Sequence, residues 1–203
     1  MDGGAEIIIT LTSTSITLLV LELVGFIGFL LIALRIWMVA RLLESERLEY
    51  TAYAFLLLSM SQLLMAFSCV VANPNLSTAL YVASGASAAL GFYPLTGAIP
   101  TNGEKGRLYA LLPIPLLYKV VVSLPDISAG ILGLKITSSI ESKSRILLLG
   151  VASTFLLRGL IVALTILAPP LTLVTITLII VELVRASIIV ALSVRYIVQA
   201  GGL

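Results

Sequence analysis

Histidine is absent from this sequence, and cysteine occurs once, as Cys69. Without histidine the chain cannot form a histidine-based catalytic triad, ligate haem through an imidazole or build an HExxH zinc site. A single cysteine excludes an intrachain disulfide framework. The sequence also contains neither a GxxxxGK[ST] phosphate loop nor a paired-aspartate metal motif. We therefore expect a protein that is not an enzyme and that uses no cofactor and no metal ion.

Charged residues are also scarce, since they make up 11% of the 203 residues while hydrophobic residues make up 60%. Soluble domains normally carry about 25% charged residues. The mean hydropathy of +1.17 and the net charge of +2 give no direct signal for a nucleic-acid partner. The composition predicts an integral, multi-pass protein of the cell membrane, surrounded by membrane lipid. Because the acidic start MDGGAE lacks the basic flank of a signal peptide, we expect the first span to be retained.

Seven apolar segments predict an all-α, polytopic protein with seven transmembrane helices. Their predicted bounds are Ser13–Val39, Tyr50–Ala72, Ser77–Pro94, Leu108–Leu124, Ile127–Ile140, Arg145–Leu167 and Leu171–Val198. The fifth follows a predicted tight turn at Pro125-Asp126 and is shorter than the ~20 residues that normally cross a bilayer, so it is a short span or a re-entrant segment. No connecting loop is long enough for a soluble domain. Residues 1–203 are therefore expected to form a single transmembrane helical bundle.

The basic residues predict the orientation of these spans, because lysine and arginine accumulate in short cytoplasmic loops. With the N-terminus outside and the C-terminus inside, nine bases fall on one side: Arg35, Arg41, Arg47, Lys105, Arg107, Lys135, Lys143, Arg145 and Arg195. The opposite side holds Asp2, Glu6 and Asp126. The predicted cytoplasmic turns are Arg41–Glu49, Gly97–Arg107 and Ile140–Arg145, and the predicted external turns are Asn73–Ser77 and Ala168–Pro170.

Several polar and ionisable residues fall inside the predicted spans. The candidate ion-pathway residues are Glu22, Gln62, Lys119, Arg158, Glu182 and Arg185. An ionised side chain in the bilayer core is costly, so such residues face protein or water and are functional candidates by default. Arg185 lies three residues after Glu182, on the same helix face, where the two can pair. The residues either form an ion-paired belt that fixes which helices are neighbours, or they line a path for an ion or proton.

Two further patterns bear on this choice. The first and last spans both contain Glu-Leu-Val followed by an arginine thirteen residues after the glutamate, beginning at Glu22 and Glu182. The third span places Ala83, Ser87 and Gly91 at four-residue spacing, which lets helices approach closely. The small-residue spacing by itself indicates a tightly packed helix. The intramembrane charges are the observation that favours a transporter or channel-like pore subunit in which Glu22 and Glu182 bind or relay a cation or proton.

The alternative is a non-catalytic, membrane-embedded subunit of a larger complex, whose buried charges fix helix packing. An archaeal DNA-import or secretion machine is one example, by analogy of size and hydropathy alone. Both functions are compatible with a homo-oligomer or with partner membrane subunits.

Overall fold

The computed structural model describes residues 13–95, 118–140, 144–167 and 172–200, which form six α-helices. Their bounds are α1 Ser13–Leu43, α2 Glu46–Val70, α3 Pro74–Phe92, α4 Tyr118–Ser138, α5 Arg145–Leu167 and α6 Thr172–Ala200. The predicted all-α class is confirmed. Among the described helices, α1, α2, α5 and α6 are long and apolar enough to cross a membrane. This is the pattern of a multi-pass membrane protein.

Short, capped turns join the first three helices. Helix α1 ends in a Schellman motif, in which Glu44 takes a left-handed φ of 48° and the N–H of Ser45 donates to the carbonyl of Ala40 at 3.1 Å. Helix α3 begins after Asn73, whose side chain accepts from two backbone N–H groups of the first turn at 3.0 and 3.3 Å. Pro74 occupies the first helical position, where its missing N–H costs nothing. Both turns reverse the chain within a few residues.

Each pair of consecutive helices packs together, and α6 closes the set by packing against α1. The contacts also give the helix directions. In α1, Gly25 lies beside Gln62 of α2, whereas Trp37, further along α1, contacts Tyr53, which comes earlier in α2. These two helices are therefore antiparallel. The same criterion makes α2–α3, α4–α5 and α5–α6 antiparallel.

Helices α3 and α4, by contrast, run parallel. Tyr81 of α3 contacts Asp126 of α4, while Phe92, at the end of α3, lies beside Gly133, further along α4. Residue numbers thus rise together in both helices. The end of α3 and the beginning of α4 consequently lie at opposite ends of the bundle.

Helices α1 and α6 are the second parallel pair. Glu22 of α1 pairs with Arg185 of α6, and Gly28 lies beside Ser193, so residue numbers again rise together. Helices α1–α3 and α4–α6 therefore form two halves with the same order of directions and of neighbours. A two-fold rotation about an axis along the bundle would place α1 on α4, α2 on α5 and α3 on α6.

Glycines let α4 approach its neighbours closely. A Cβ atom at Gly130 of α4 would lie 2.6 Å from the Cα of Leu156 in α5. On the other side, a Cβ atom at Gly85 of α3 would lie 2.6 Å from the Cβ of Pro125 and 3.0 Å from the backbone nitrogen of Asp126. Small residues at both contacts are what allow helix backbones to pack this tightly.

The outer surface of the bundle is apolar on every helix. Exposed examples, one from each helix in chain order, are Ile27, Met60, Leu90, Ile131, Leu160 and Val194. Soluble monomers rarely expose apolar patches of this extent. Lipid is the medium that such a surface fits.

The charged groups outside the bundle centre are distributed unevenly. The bases with described side chains lie toward the end of the bundle at which α1, α3, α4 and α6 finish: Arg35, Arg41, Arg47, Lys135, Arg145 and Arg195. This is the segregation that the sequence predicts for a cytoplasmic face. The predicted turns Gly97–Arg107 and Ala168–Pro170 lie outside the described residues.

The predicted turn at Pro125-Asp126 is wrong, because α4 continues through both residues. Proline lacks an N–H, but its fixed φ suits a helix, and neighbouring groups satisfy the freed backbone in a bundle. Asp126, predicted to be external, is fully buried. Helix α4 thus joins the end of the predicted span Leu108–Leu124 to the span Ile127–Ile140; residues 108–117 lie outside the described ranges.

Candidate functional site in the bundle centre

Polar side chains from all six helices meet inside the bundle. They are Glu22 of α1, Gln62 of α2, Tyr81 of α3, Asp126 of α4, Arg158 of α5, and Glu182 and Arg185 of α6. We call these seven residues the central cluster. Tyr81 is 9% exposed, and each of the others is 3% exposed or less. The cluster therefore lies at the place where the two halves of the molecule face each other.

One side of the cluster is built around Asp126. The Arg158 guanidinium donates two parallel hydrogen bonds to it, from Nε to Oδ2 and from Nη2 to Oδ1, both at 2.6 Å. The Tyr81 hydroxyl donates to Oδ2 at 2.5 Å. A bidentate guanidinium–carboxylate pair is the strongest geometry available to these groups. Both oxygens of Asp126 are thus occupied, and the contact ties α3, α4 and α5 together.

The other side of the cluster is built around Arg185. Its Nη2 donates to Oε1 of Glu22 at 2.5 Å and also contacts Oε2 of Glu182. Nη1 of Arg158 lies 3.6 Å from Oε1 of Glu22 and 3.6 Å from Oε1 of Glu182. Two carboxyl groups therefore converge on the same guanidinium nitrogens, and the contact ties α1 and α6 together with α5.

An aromatic ring separates the cluster from the apolar interior. The guanidinium carbons of Arg158 and Arg185 lie 5.1 and 5.0 Å from the centre of the Phe155 ring. The guanidinium of Arg158 also lies 5.6 Å from the centre of the Tyr81 ring. A cation above an aromatic face is stabilised by the ring quadrupole, and more so when it is desolvated. These rings thus help to hold two cations inside an apolar bundle.

Gln62 lies at the edge of the cluster, beside the first helix. A Cβ atom at Gly25, one turn after Glu22, would lie 2.6 Å from the Gln62 side-chain oxygen. Its amide nitrogen is buried and has no hydrogen-bond partner among the described residues. A buried, unsatisfied donor is costly. Such an atom marks a place where a further polar group would be stabilised.

The structure brings together five of the six residues selected from the sequence: Glu22, Gln62, Arg158, Glu182 and Arg185. The pairing of Glu182 with Arg185, expected from their spacing, is observed. Lys119 is the second residue of α4 and lies seven residues before Asp126, about 10 Å away along the helix axis. The Lys119 side chain lies outside the described part of the chain. The assignment of these residues to an ion pathway stays a prediction.

Sequence reasoning missed two members of the cluster, Asp126 and Tyr81. Asp126 was assigned to a turn because it follows Pro125, and proline usually marks a break in a helix. A signal was present nevertheless, since Asp126 is followed by Gly130 and Gly133, much as Glu22 is followed by two glycines spaced three apart. Tyr81 carries no charge, and its sequence context resembles that of a packing residue.

The comparisons with known proteins add no further assignment, since no family model, no curated protein and no solved structure matches this chain. The chemistry of the cluster follows from its own groups. In the described residues no group of three or more histidine, cysteine, aspartate or glutamate side chains is placed to hold a metal ion. The cluster can bind a charged species or exchange a proton among its carboxyl groups.

Proposed function

We propose that this protein is a membrane transporter or channel-like pore subunit, which passes or couples an ion, a proton or a small solute at the central cluster. The observation that carries the proposal is the buried set of five ionisable groups, Glu22, Asp126, Arg158, Glu182 and Arg185, between the two halves. Charges in a bilayer core are expensive, and those retained there commonly mark ion or proton paths.

The two-halves arrangement supports the same function. Many secondary transporters consist of repeats related by a pseudo-two-fold axis, in some cases along the membrane normal, and bind substrate and coupling ion at the repeat interface near the bilayer midplane. Here α1–α3 and α4–α6 share directions and neighbours, and the cluster lies between them. Alternating movement of two such halves would change the side from which the cluster is reached.

A second candidate function rests on the Asp126 side of the cluster. There both oxygens of the carboxylate are bonded, by Arg158 and by Tyr81, and the contact links three helices, which suits a subunit whose buried charges fix packing within a larger membrane complex. Buried ionic groups can specify which helices are neighbours. We favour transport because the Glu22 side of the cluster contains polar atoms that packing alone does not satisfy.

For the membrane topology we propose seven crossings, with the N-terminus outside and the C-terminus inside the cell membrane. The parallel direction of α3 and α4 supports this, because the end of α3 and the beginning of α4 lie at opposite ends of the bundle. The gathering of bases at one end supports the orientation.

Flux measurement in reconstituted vesicles tests the transport function. Wild-type protein and the Glu182→Gln and Glu46→Gln variants would be compared under imposed proton, sodium and potassium gradients. Glu46 is an exposed carboxylate at the start of α2 and serves as the matched control. We expect flux in the wild type and in Glu46→Gln, and loss of flux in a Glu182→Gln protein that elutes and unfolds normally. If the folded variant leaves all three fluxes unchanged, Glu182 has no part in transport.

Cysteine labelling tests the topology. Single cysteines at Asn75, in the turn before α3, and at Ser139, after α4, would be introduced in a Cys69→Ser background. We expect a membrane-impermeant thiol reagent to label Asn75→Cys in intact cells and Ser139→Cys only after permeabilisation. Labelling of both positions from outside would rule out the seven-crossing topology, while leaving the function of the cluster open to the flux test.

A further inference from the structure

The described charges of the central cluster do not balance. Three carboxyl groups, on Glu22, Asp126 and Glu182, face two guanidinium groups, on Arg158 and Arg185. All five are buried. If every carboxyl group were ionised, one negative charge would be left over in a low-dielectric interior, where an uncompensated charge is strongly unfavourable.

The imbalance is located on one side of the cluster. Asp126 has both oxygens bonded to Arg158 and a third bond from Tyr81. Glu22 and Glu182, in contrast, share Nη2 of Arg185, and each keeps a buried oxygen that no hydrogen-bond donor of the described residues reaches: Oε2 of Glu22 and Oε1 of Glu182. The two carboxyl groups nevertheless lie side by side, because Oε1 of Glu22 and Oε2 of Glu182 contact the same nitrogen of Arg185.

We infer that Glu22 and Glu182 hold one exchangeable proton between them, so that the species coupled at the proposed transport site is a proton. A single proton on one carboxyl group lets that group donate to the other. It removes the excess negative charge at once. Because both groups contact the same arginine nitrogen, the proton can lie on either of them.

A metal cation does not suit this place as well. Besides the two carboxyl oxygens, the buried atoms without a hydrogen-bond partner among the described residues are all donors: Nη1 of Arg158, Nη1 of Arg185 and the amide nitrogen of Gln62. A cation between the carboxyl groups would lie beside two guanidinium groups and be repelled by both. A proton needs no coordination shell, and once it is bonded to a carboxyl oxygen that group is neutral.

Loss of the proton has a defined mechanical consequence. With both glutamates ionised, two anions compete for Arg185 at the contact between α1 and α6. The groups that face them from the other helices are Gln62 and Cys69 of α2, Tyr81 of α3, Asp126 of α4 and Arg158 of α5. Nε and Nη2 of Arg158 are bonded to Asp126, and only its Nη1 faces the two glutamates, at 3.6 Å. The α1–α6 contact at Arg185 is therefore the one that deprotonation weakens most. This consequence rests on the proposed transport function, whereas the shared proton does not.

Infrared spectroscopy tests the shared proton directly, because the carbonyl stretch of a protonated carboxyl group is separate from the carboxylate bands. In wild-type protein in vesicles at neutral pH, we expect a buried-acid band that disappears on alkaline titration with release of one proton. Glu22→Gln and Glu182→Gln should each remove the band, while Tyr81→Phe, on the Asp126 side, and Glu46→Gln should keep it.

Two results would overturn the inference: no such band in the wild type, or a band that survives in both glutamate variants. The variant Lys119→Met removes the basic side chain near the start of α4. An infrared band that appears only in this variant would mean that the lysine, and not a proton, neutralises the cluster. If a glutamate variant does not fold, the wild-type protein is treated with dicyclohexylcarbodiimide, which modifies protonated buried carboxyl groups. Mass spectrometry then locates the modified residues. If neither Glu22 nor Glu182 is modified, the inference is also wrong.

The infrared result and the flux result can be interpreted separately. An infrared band with no measurable flux would support the shared proton and contradict the transport function. Sodium or potassium flux without an infrared band would support transport and contradict the shared proton.

Discussion

The two halves of the bundle place an acid at corresponding positions, and the surroundings of these two acids differ. Each lies in the first helix of its half and is followed by two glycines spaced three apart; the residues are Glu22, Gly25 and Gly28 in α1, and Asp126, Gly130 and Gly133 in α4. Asp126 has a fully bonded carboxylate, held by Arg158 and Tyr81. Glu22 shares a single arginine nitrogen with Glu182 and keeps one oxygen unsatisfied by the described residues.

This difference separates two uses of a buried charge. Around Asp126 the geometry does not permit a change of protonation, because a bidentate pair is stable only when both partners keep their charge. Around Glu22 a change of protonation alters which groups can bond. We therefore assign the α3–α4–α5 side of the cluster to holding the halves in register, and the α1–α6 side to the proposed exchange. The predictions below compare equivalent substitutions on the two sides.

The largest effect is expected at Asp126. Replacing it with asparagine removes the anion that accepts both 2.6 Å bonds of Arg158 and leaves only carboxyl groups 3.6 Å away; breaking a buried pair typically costs about 3–5 kcal/mol. The free energy of unfolding in detergent micelles, followed by circular dichroism, measures this loss. The double variant Asp126→Asn with Arg158→Gln should recover much of it, because neither buried charge then remains.

Arg158 has a second carboxyl group nearby, since its Nη1 lies 3.6 Å from Oε1 of Glu182, whereas Arg158 and Asp126 are joined by two bonds of 2.6 Å. A double variant of Glu182 and Arg158 that restores stability better than the Asp126 and Arg158 pair would contradict the geometry described here.

An intermediate effect is expected at the glycines that follow the two acids. A Cβ atom at Gly130 would lie 2.6 Å from the backbone Cα of Leu156, whereas one at Gly25 would lie 2.6 Å from the side-chain oxygen of Gln62. Backbone cannot yield without separating α4 from α5, so Gly130→Ala should cost about 1–3 kcal/mol. The Gln62 side chain can rotate, and alanine favours a helix by about 1 kcal/mol over glycine, so Gly25→Ala should be nearly neutral.

The same unfolding measurement compares the two glycine variants, with Gly150→Ala as a further reference. Gly150 faces the flexible end of the Ile188 side chain at 3.0 Å. Equal losses of unfolding free energy at Gly130 and Gly25 would show that the two halves are packed alike. The difference between the two halves would then be limited to their charged residues.

Much of this arrangement could be predicted from the sequence. Composition alone indicates an all-α membrane bundle, and the cost of burying charge singles out Glu22, Arg158, Glu182 and Arg185, because each interrupts a long apolar run. Spacing within one helix then pairs Glu182 with Arg185. Each of these inferences depends on local sequence, which is why they hold.

What could not be predicted depends on contacts between distant segments. The helix through Pro125 persists because Gly85 packs against the proline and because Arg158 binds the next residue. Neither contact is encoded near residue 125, and by local rules a proline followed by aspartate is a turn. The ring order of the helices and their division into two halves also arise from packing. The Glu-Leu-Val match between the first and last spans corresponds to a contact, since Glu22 and Glu182 meet at Arg185. The two helices that carry the match are parallel neighbours, however, and do not occupy equivalent positions in the two halves.

The smallest effect on stability is expected from Glu22→Gln, although it makes the same chemical change as Asp126→Asn at the corresponding position. If Glu22 and Glu182 share one proton, glutamine replaces a carboxyl group that is already part of a neutral, hydrogen-bonded pair. Its amide can accept from Arg185 and donate to Glu182, and the remaining described charges of the cluster then balance. We expect the unfolding free energy at neutral pH to change by less than about 1 kcal/mol, within the usual range of a single hydrogen bond. Adding Glu182→Gln to this variant leaves the cluster with an excess positive charge, so the double variant should lose clearly more stability than either single one. A loss at Glu22→Gln as large as that at Asp126→Asn would mean that Glu22 is ionised and structurally paired, and the distinction between the two acids would fall.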